Sequence, residues 1–407
     1  MATLHVPRSF DPLHNLFTVA GVRMALHCHH YNCQLQKVVE LTDYIDGAAI
    51  LRWAAAEALR ELLPAVQDHQ DGRPEPWHTG FELYRLLGFG TLRPEGHAPR
   101  PAPERLTAPT SHFATGWVEK FGQRSDPACH FTRGYLVGLS RIAGTALAVR
   151  EEACLGMGAP ACRFRLHEPA EGAAAGDELP EGAPHAGVTV PLQEPEPAAA
   201  DTAVDEARVV RAFSEADLTG DEEGFIPRFG VYLTVMPVRF YNFLSYRFER
   251  ELERMGFGLG RSARELLIDA GEVCGIFTLG GISRSMEWEA AVAPMIRRPE
   301  DRVHGMVAVA NSLGWGRWQV RELVPGRRLV LRAYNPYEAL GYLQMYGRAA
   351  GGKCYMLTGV TAAIMDLVYG GEPGEDPENL IGRFAATERR CLAKGDPYCE
   401  TEAVRCD

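Results

Sequence analysis

Ten cysteines stand in a chain of 407 residues, and six of them fall into a pattern that occurs twice. Glu151-Glu-Ala-Cys154-Leu-Gly-Met-Gly-Ala-Pro-Ala-Cys162 is matched by Glu388-Arg-Arg-Cys391-Leu-Ala-Lys-Gly-Asp-Pro-Tyr-Cys399, and an earlier cysteine, Cys129 or Cys354, precedes each copy. A shell of thiolates and carboxylate suits zinc, whose structural sites take four ligands and leave no open position. It does not suit magnesium or calcium, which prefer all-oxygen shells. The sets Cys129, Glu151, Cys154, Cys162 and Cys354, Glu388, Cys391, Cys399 therefore predict one structural zinc in each half. Cys129 heads an expected helix, whose N-terminus favours a thiolate, and Cys154 and Cys162 flank a turn that brings both sulfurs to one ion. Buried, inert cysteines are the plain alternative, and the repeated spacing weighs against it.

A second group is confined to the first half. Twelve of the 13 histidines precede residue 186, and the densest run is His27-Cys28-His29-His30-Tyr31-Asn32-Cys33. In a helix that has begun by His29, His29 and Cys33 are four apart on one face. Cys28, His29, His30 and Cys33 thus offer a further metal or active site, and imidazole with thiolate suits zinc, iron or copper. A c-type haem motif is absent, while haem held through one histidine stays open. Core histidines are the competing reading. The aligned stretch of the second half, Val235-Met-Pro-Val-Arg-Phe-Tyr-Asn-Phe, keeps the Tyr-Asn pair and loses the histidines and cysteines.

The elements that must position these groups recur in order. Leu87-Gly-Phe-Gly90 is paralleled by Leu313-Gly-Trp-Gly316, and shared landmarks in one order argue for an internal duplication. The chain divides into a loosely packed arm (1–20), a first domain (21–168), a disordered linker (169–204) rich in Ala, Glu, Pro and Gly, and a second domain (205–407) that inserts 370–379 before its clasp. Helical spacing covers 50–63, where Pro64 is expected to stop the helix. A strand expected within 22–30 runs into a helix, and 318–323 with 328–334 reads as a hairpin about Pro325-Gly326.

With 46% apolar and 23% charged residues, the chain reads as globular. The net charge of −11 gives no electrostatic reason for a nucleic acid or anionic membrane partner. No apolar run approaches a spanning helix, and the N-terminus lacks a secretory pattern. A cytoplasmic location is the expectation. Gly347-Arg-Ala-Ala-Gly-Gly-Lys353-Cys354 nearly matches a phosphate-binding loop, but Cys stands where Ser or Thr should hold magnesium and helix precedes it.

Cys129-His-Phe-Thr-Arg-Gly134-Tyr-Leu-Val-Gly138, with Gly144 and the Glu151/Cys154/Gly158/Cys162 frame, resembles the signature of the 4-vinyl-reductase domain, which also forms the aromatic-sensing part of phenol- and toluene-responsive bacterial activators. The resemblance implies an α+β fold of the haem-NO-binding and Golgi-transport type, a structural zinc, and a buried hydrophobic pocket. It places His112, Phe113 and Trp117 near the ligand, with His78 and His130 as additional pocket candidates. In the second copy Tyr355 replaces His130 and the glycine spacing differs. Two tandem domains of this kind would pair as a pseudo-dimer, with a homodimer also open. The expected function is binding of a small hydrophobic or aromatic molecule in the first domain. The alternative is a metalloenzyme using iron, copper, zinc or haem at Cys28, His29, His30 and Cys33.

Overall fold

The computed structural model describes residues 4–72, 74–96, 102–169, 184–197, 201–256, 258–371, 375 and 377–406. Strands β1 (Arg8–Asp11), β2 (Leu16–Val19) and β3 (Val22–Cys28) open the chain. Ala20 and Gly21 both take positive φ, 48° and 80°, the geometry of a tight hairpin turn, and fold β3 antiparallel onto β2. The arm expected over 1–20 therefore supplies two strands. Phe17 and Val19 are buried, and their burial outweighs the polar surroundings that suggested loose packing.

The first half continues with α1 (His29–Glu40), α2 (Gly47–Gln67), α3 (Pro76–Leu86), β4 (Arg93–Pro94), β5 (Arg105–Ala108), α4 (His112–Phe121), α5 (His130–Ile142), β6 (Ala148–Ala153) and β7 (Cys162–His167). Asp46 caps α2 by accepting from Ala49 N at 2.8 Å. The helix runs past Pro64, contrary to expectation. A proline in the last turn forfeits only one donor, its carbonyl still accepts from Asp68 N at 2.9 Å, and buried Leu63 and Val66 hold the turn down. Helix α5 lies against α2 at Gly134, where a Cβ would come 2.0 Å from Arg52 O.

The second half contains α6 (Glu206–Ser214), β8 (Ile226–Arg228), β9 (Val231–Pro237), α7 (Val238–Met255), α8 (Leu259–Ile282), α9 (Met286–Ala291), α10 (Pro299–Ala310), β10 (Arg317–Val324), β11 (Arg328–Tyr334), α11 (Tyr337–Tyr346), α12 (Tyr355–Tyr369), β12 (Phe384–Arg390) and β13 (Cys399–Arg405). Helix α12 meets α8 through Gly359, where a Cβ would lie 2.1 Å from Ile268 O. That is the α2–α5 contact over again. The class is α+β with three antiparallel sheets: β4-β5-β7-β6, β10-β11-β13-β12, and a five-stranded sheet β1-β2-β3-β9-β8 shared by both halves.

In the shared sheet β3 pairs with β9, from Met24 opposite Pro237 to Cys28 opposite Leu233. Helix α1 packs on α8, and α7 packs on α2. The glycine loops clasp the same seam reciprocally. Val235 N donates to Leu87 O at 2.9 Å, and Leu26 N donates to Leu313 O at 3.0 Å. Gly88 and Gly314 have φ of 89° and 79°; a Cβ there would lie 2.6 Å from Leu233 O and 2.5 Å from Met24 O.

Of the stretch expected as a linker, 170–183 and 198–200 lie outside the described residues. Residues 184–197 form no helix or strand but are tied to the second half, Gln193 to Asn335 at 2.7 Å and Glu196 to Arg332 at 2.8 Å. Among the described residues no single helix is long and apolar enough to cross a membrane.

The entry to β12 is stapled by two buried carboxyls. Gly382 N donates to Glu272 at 2.7 Å and Phe384 N to Asp366 at 2.9 Å, and the two side chains hydrogen-bond each other. A bond between two carboxyl groups needs one proton. Burial, then the Glu272 charge, push Asp366 up to about 9.

Two outcomes test this account. Gly88→Ala and Gly314→Ala should each cost about 2 kcal/mol or more in urea unfolding, combining positive-φ strain with the carbonyl clash. Gly122→Ala has a similar φ of 78° but open space around it and should cost only the backbone share of about 1 kcal/mol; equal losses at all three would refute a close inter-half contact. For Asp366 the folded pKa lies above the unfolded carboxyl value. Its contribution is complete below the unfolded pKa of about 4 and is lost as pH rises toward about 9. Asp366→Asn removes that slope, so the variant should gain stability relative to the parent from pH 5 to pH 8, and a gap independent of pH would contradict the shared proton.

Candidate functional site

The two clasps are built alike. Cys129 and Cys354 are the N-cap residues of α5 and α12. Each remaining pair flanks a 3-10 turn, closed by Gly158 and Gly395 at φ 86° and 92°. A bulge displaces the register of β6 between Glu151 and Ala153 and of β12 between Glu388 and Arg390. Bulges re-aim side chains, and here they turn each glutamate toward the sulfurs. In both sets the four ligand atoms lie within 4.8 Å of one another. Cys129 and Cys162 sulfurs are 3.4 Å apart, Cys162 and Cys154 4.0 Å, and Cys354 and Cys399 3.3 Å; Zn–S bonds of about 2.3 Å in a tetrahedron place sulfurs about 3.8 Å apart.

Backbone donors fix the ligands in place. Cys129 N and Cys354 N each donate to their glutamate at 3.2 Å, while Leu155 N and Leu392 N each donate to the last cysteine at 3.3 Å. The other carboxylate oxygen of Glu151 and of Glu388 is buried without a hydrogen-bond partner. Burial and the neighbouring Cys154 push the Glu151 carboxyl up to about 9, and burial beside Cys391 raises Glu388 in the same way. Four acids in a dry cluster cannot all ionise against one another, and a bound cation removes that conflict. Both clusters fit a metal ion.

The residue after each first cysteine locks the clasp helix to α1 or α7. His130 Nε2 lies 3.0 Å from Glu40, and Arg124 binds the same carboxylate at 3.1 Å. Burial raises Glu40, but the hydrogen bonds from His130 and Arg124 outweigh it and hold the carboxyl down near about 2. In the second half Tyr355 OH donates to Glu249 at 2.6 Å, joined by Lys353 at 2.6 Å. Lys353 is thereby committed to a buried ion pair, as the rejection of a phosphate-binding loop requires.

The histidine run behaves differently from its spacing. Helix α1 starts at His29, and the His29 and His30 rings lie 3.9 Å apart. Tyr232 N, on β9, donates to His29 Nδ1 at 3.1 Å. That nitrogen must be bare, so the neutral ring carries its proton on Nε2, which faces Glu119 at 3.5 Å. Burial lowers the His29 pKa, and burial with the nearby His29 and Lys120 brings His30 down to about 3; both rings are neutral near pH 7. His30 stacks on Phe277 of α8 at 4.1 Å. Lys120 Nζ lies 4.1 Å from the same Phe277 ring and 3.7 Å from Glu378.

The groups that converge are therefore His29, His30 and Glu119. Cys28 and Cys33 do not join them. Cys28 Sγ accepts from the Thr278 hydroxyl at 3.1 Å, Cys33 Sγ faces Phe113 O at 3.6 Å, and burial raises both thiols. A metal-bound imidazole donates from its free nitrogen, whereas His29 accepts there, so its geometry favours a proton donor over a metal ligand. Glu119 and Lys120 were missed because α4 meets α1 only through tertiary packing. The one local signal is Gly116, where a Cβ would lie 2.9 Å from His29 Cβ.

The pocket candidates scatter. His112 Nε2 accepts from Asn32 Nδ2 at 2.9 Å, within a network in which Asn32 also donates to Thr234 at 3.0 Å and accepts from Tyr241 at 2.9 Å. Phe113 stacks on Phe131, and Trp117 stacks under Arg124. His130 is held by Glu40. Among the described residues no hydrogen bond or ring contact joins His78, near the start of α3, to the other four. Only His112 approaches the paired histidines, its ring 6.5 Å from His29.

None of the curated proteins compared matches the chain. Among solved structures, the phenol-responsive sensory domain of the transcription activator PoxR, with phenol, is similar at 15% identity and a TM-score of 0.29, covering 40% of this chain and 72% of that one. Residues 116–168, from the middle of α4 to just beyond β7 and including the whole first clasp, match the 4-vinyl-reductase domain, and over this stretch the chain carries a domain of that family.

Proposed function

We propose that the protein is a tandem pair of 4-vinyl-reductase-like domains, each held shut by zinc, that bind a small aromatic molecule at the His29/His30 face of the first. The observation that carries this is an asymmetry. The Cys3Glu clasp and the glycine loop are present in both halves, whereas the paired histidines occur in one. A feature kept in both halves reads as scaffold, and a feature of one half as function. The reciprocal packing of β3 on β9, α1 on α8 and α2 on α7 supports a pseudo-twofold pairing of the halves. The chemistry of the donors supports zinc, which would be held by Cys129, Glu151, Cys154 and Cys162 and by Cys354, Glu388, Cys391 and Cys399. Its role there is to neutralise and cross-link a hairpin to a helix.

The binding reading is favoured over a metalloenzyme by His29, whose bare Nδ1 is already engaged by Tyr232. The His30–Phe277 stack supplies a flat apolar surface for a ring, open at half-exposed His30 and exposed Glu119.

Elemental analysis of the purified chain should give two zinc ions, with one lost on Cys154→Ser and the other on Cys391→Ser. A zinc-free, folded chain would disprove the clasp assignment. Monocyclic aromatics titrated into the full chain should bind, and His30→Ala should weaken that binding about tenfold, the size of a lost stacking contact of about 1.4 kcal/mol, while zinc content stays the same. Binding indifferent to His30→Ala would move the site elsewhere.

A further inference from the structure

The ligand's chemical class can be read from which groups at the site are buried and which are not; this step rests on the binding site proposed above. Two hydrogen-bond donors lie inside. The His29 side chain is 1% exposed, its Nε2 proton fixed by the Tyr232 bond to Nδ1, and among the described residues no acceptor lies within hydrogen-bond geometry of that nitrogen. The Lys120 side chain is 6% exposed, yet its ammonium lies against the faces of Phe277 and Phe121. The acceptors that face them are the opposite. Glu119 is 49% exposed and Glu378 61%, at 3.5 Å and 3.7 Å. Pairs with one partner in solvent are weak and easily exchanged, whereas a buried donor without an acceptor is costly.

We infer that the molecule bound here is an aromatic carboxylate, whose oxygens replace Glu119 and Glu378 at His29 Nε2 and Lys120 Nζ while its ring lies on the His30–Phe277 stack. The ligand brings acceptors because the fixed partners are donors. A charge-assisted bond from Lys120 to an oxygen held by the site is stronger than its present contact with a solvated side chain. The ring orientation follows, since Phe277 is shared by His30 at 4.1 Å and Lys120 at 4.1 Å. Lys120 also senses His29 and His30 electrostatically, which puts the cation beside the stack. Phe277, Tyr232 and Glu378 come from the second half, so the site is complete only in the full chain.

Calorimetric titration of the zinc-loaded full chain with benzoate, phenol and toluene tests this, because the three share a ring and differ in charge. Benzoate should bind at least tenfold more tightly than toluene or phenol. Lys120→Met should reduce benzoate to the level of toluene without changing toluene affinity, and Lys120→Arg should retain the preference, with zinc content and circular dichroism confirming the fold of each variant. If benzoate binds no better than toluene, or its advantage survives Lys120→Met, the acidic ligand is wrong and the aromatic site stands. If none of the three binds, the site itself is wrong.

Discussion

The antiparallel pairing of β3 with β9 is the constraint on which the rest of the molecule depends. Neither half closes its sheet alone: β1-β2-β3 ends at β3 and β9-β8 begins at β9, and a bare strand edge in a core is not tolerated. The pairing brings together two glycine loops whose backbones must approach the opposite strand within van der Waals contact. Leu87 O and Leu313 O each take an N–H from the strand of the other half. Side chains follow from that register. Asn32 from α1 satisfies His112, Thr234 and Tyr241 at once, and His27 stacks on Trp315 at 5.1 Å, so the seam is a specific polar and aromatic lock rather than an apolar slab.

The clasps work one layer out. Each joins a hairpin, β6–β7 or β12–β13, to the N-terminus of the helix that packs on α2 or α8. The dry acidic cluster is unfavourable to fold by itself, since its thiols and carboxyl compete for charge. Metal binding converts that penalty into the term that fixes the hairpin. Behind each clasp a carboxylate on α1 or α7 accepts from the residue following the first cysteine, His130 or Tyr355, and is neutralised by Arg124 or Lys353. Different residues solve the same electrostatic problem in the two halves, which is how a fold is retained while its sequence drifts.

What was legible in the sequence was what depends on local spacing. The Glu-x2-Cys-x7-Cys frame announces its cluster because the turn, the glycine and both cysteines lie within twelve positions. Pro325-Gly326 announces the β10–β11 hairpin, and the small residues of α5 announce its close approach to α2. The glycine loops were visible as landmarks, but their partner strands lie more than a hundred residues away. Strands β1 and β2 were hidden because four-residue strands carry too little alternation to stand out. The helix beyond Pro64 was hidden because buried Leu63 and Val66 override a local breaker. Cys28 and Cys33 shared a run with the histidines, yet neighbouring positions on a strand end and a helix start point to different sides. Glu119 and Lys120 carried no motif at all; only the packing of α4 on α1 through Gly116 gives them meaning.

The histidine pair and the 370–379 stretch are the two features that break the likeness between the halves, and they meet. Glu378, from that stretch of the second half, reaches Lys120 of the first at 3.7 Å, beside the histidines. Phe277 of α8 bridges the two, touching His30 on one side and Lys120 on the other. In a strictly symmetric pair each half would present the same face to the other, and both faces would be equivalent. Here the extra segment of one half lies against the extra chemistry of the other, while the opposite face keeps neither. On the tandem reading, specialisation required both halves to change together at one side of the seam. That correlated departure locates the working site better than any single residue type does, and it explains why the strongest motif in the chain, the clasp, is the part least concerned with ligand choice.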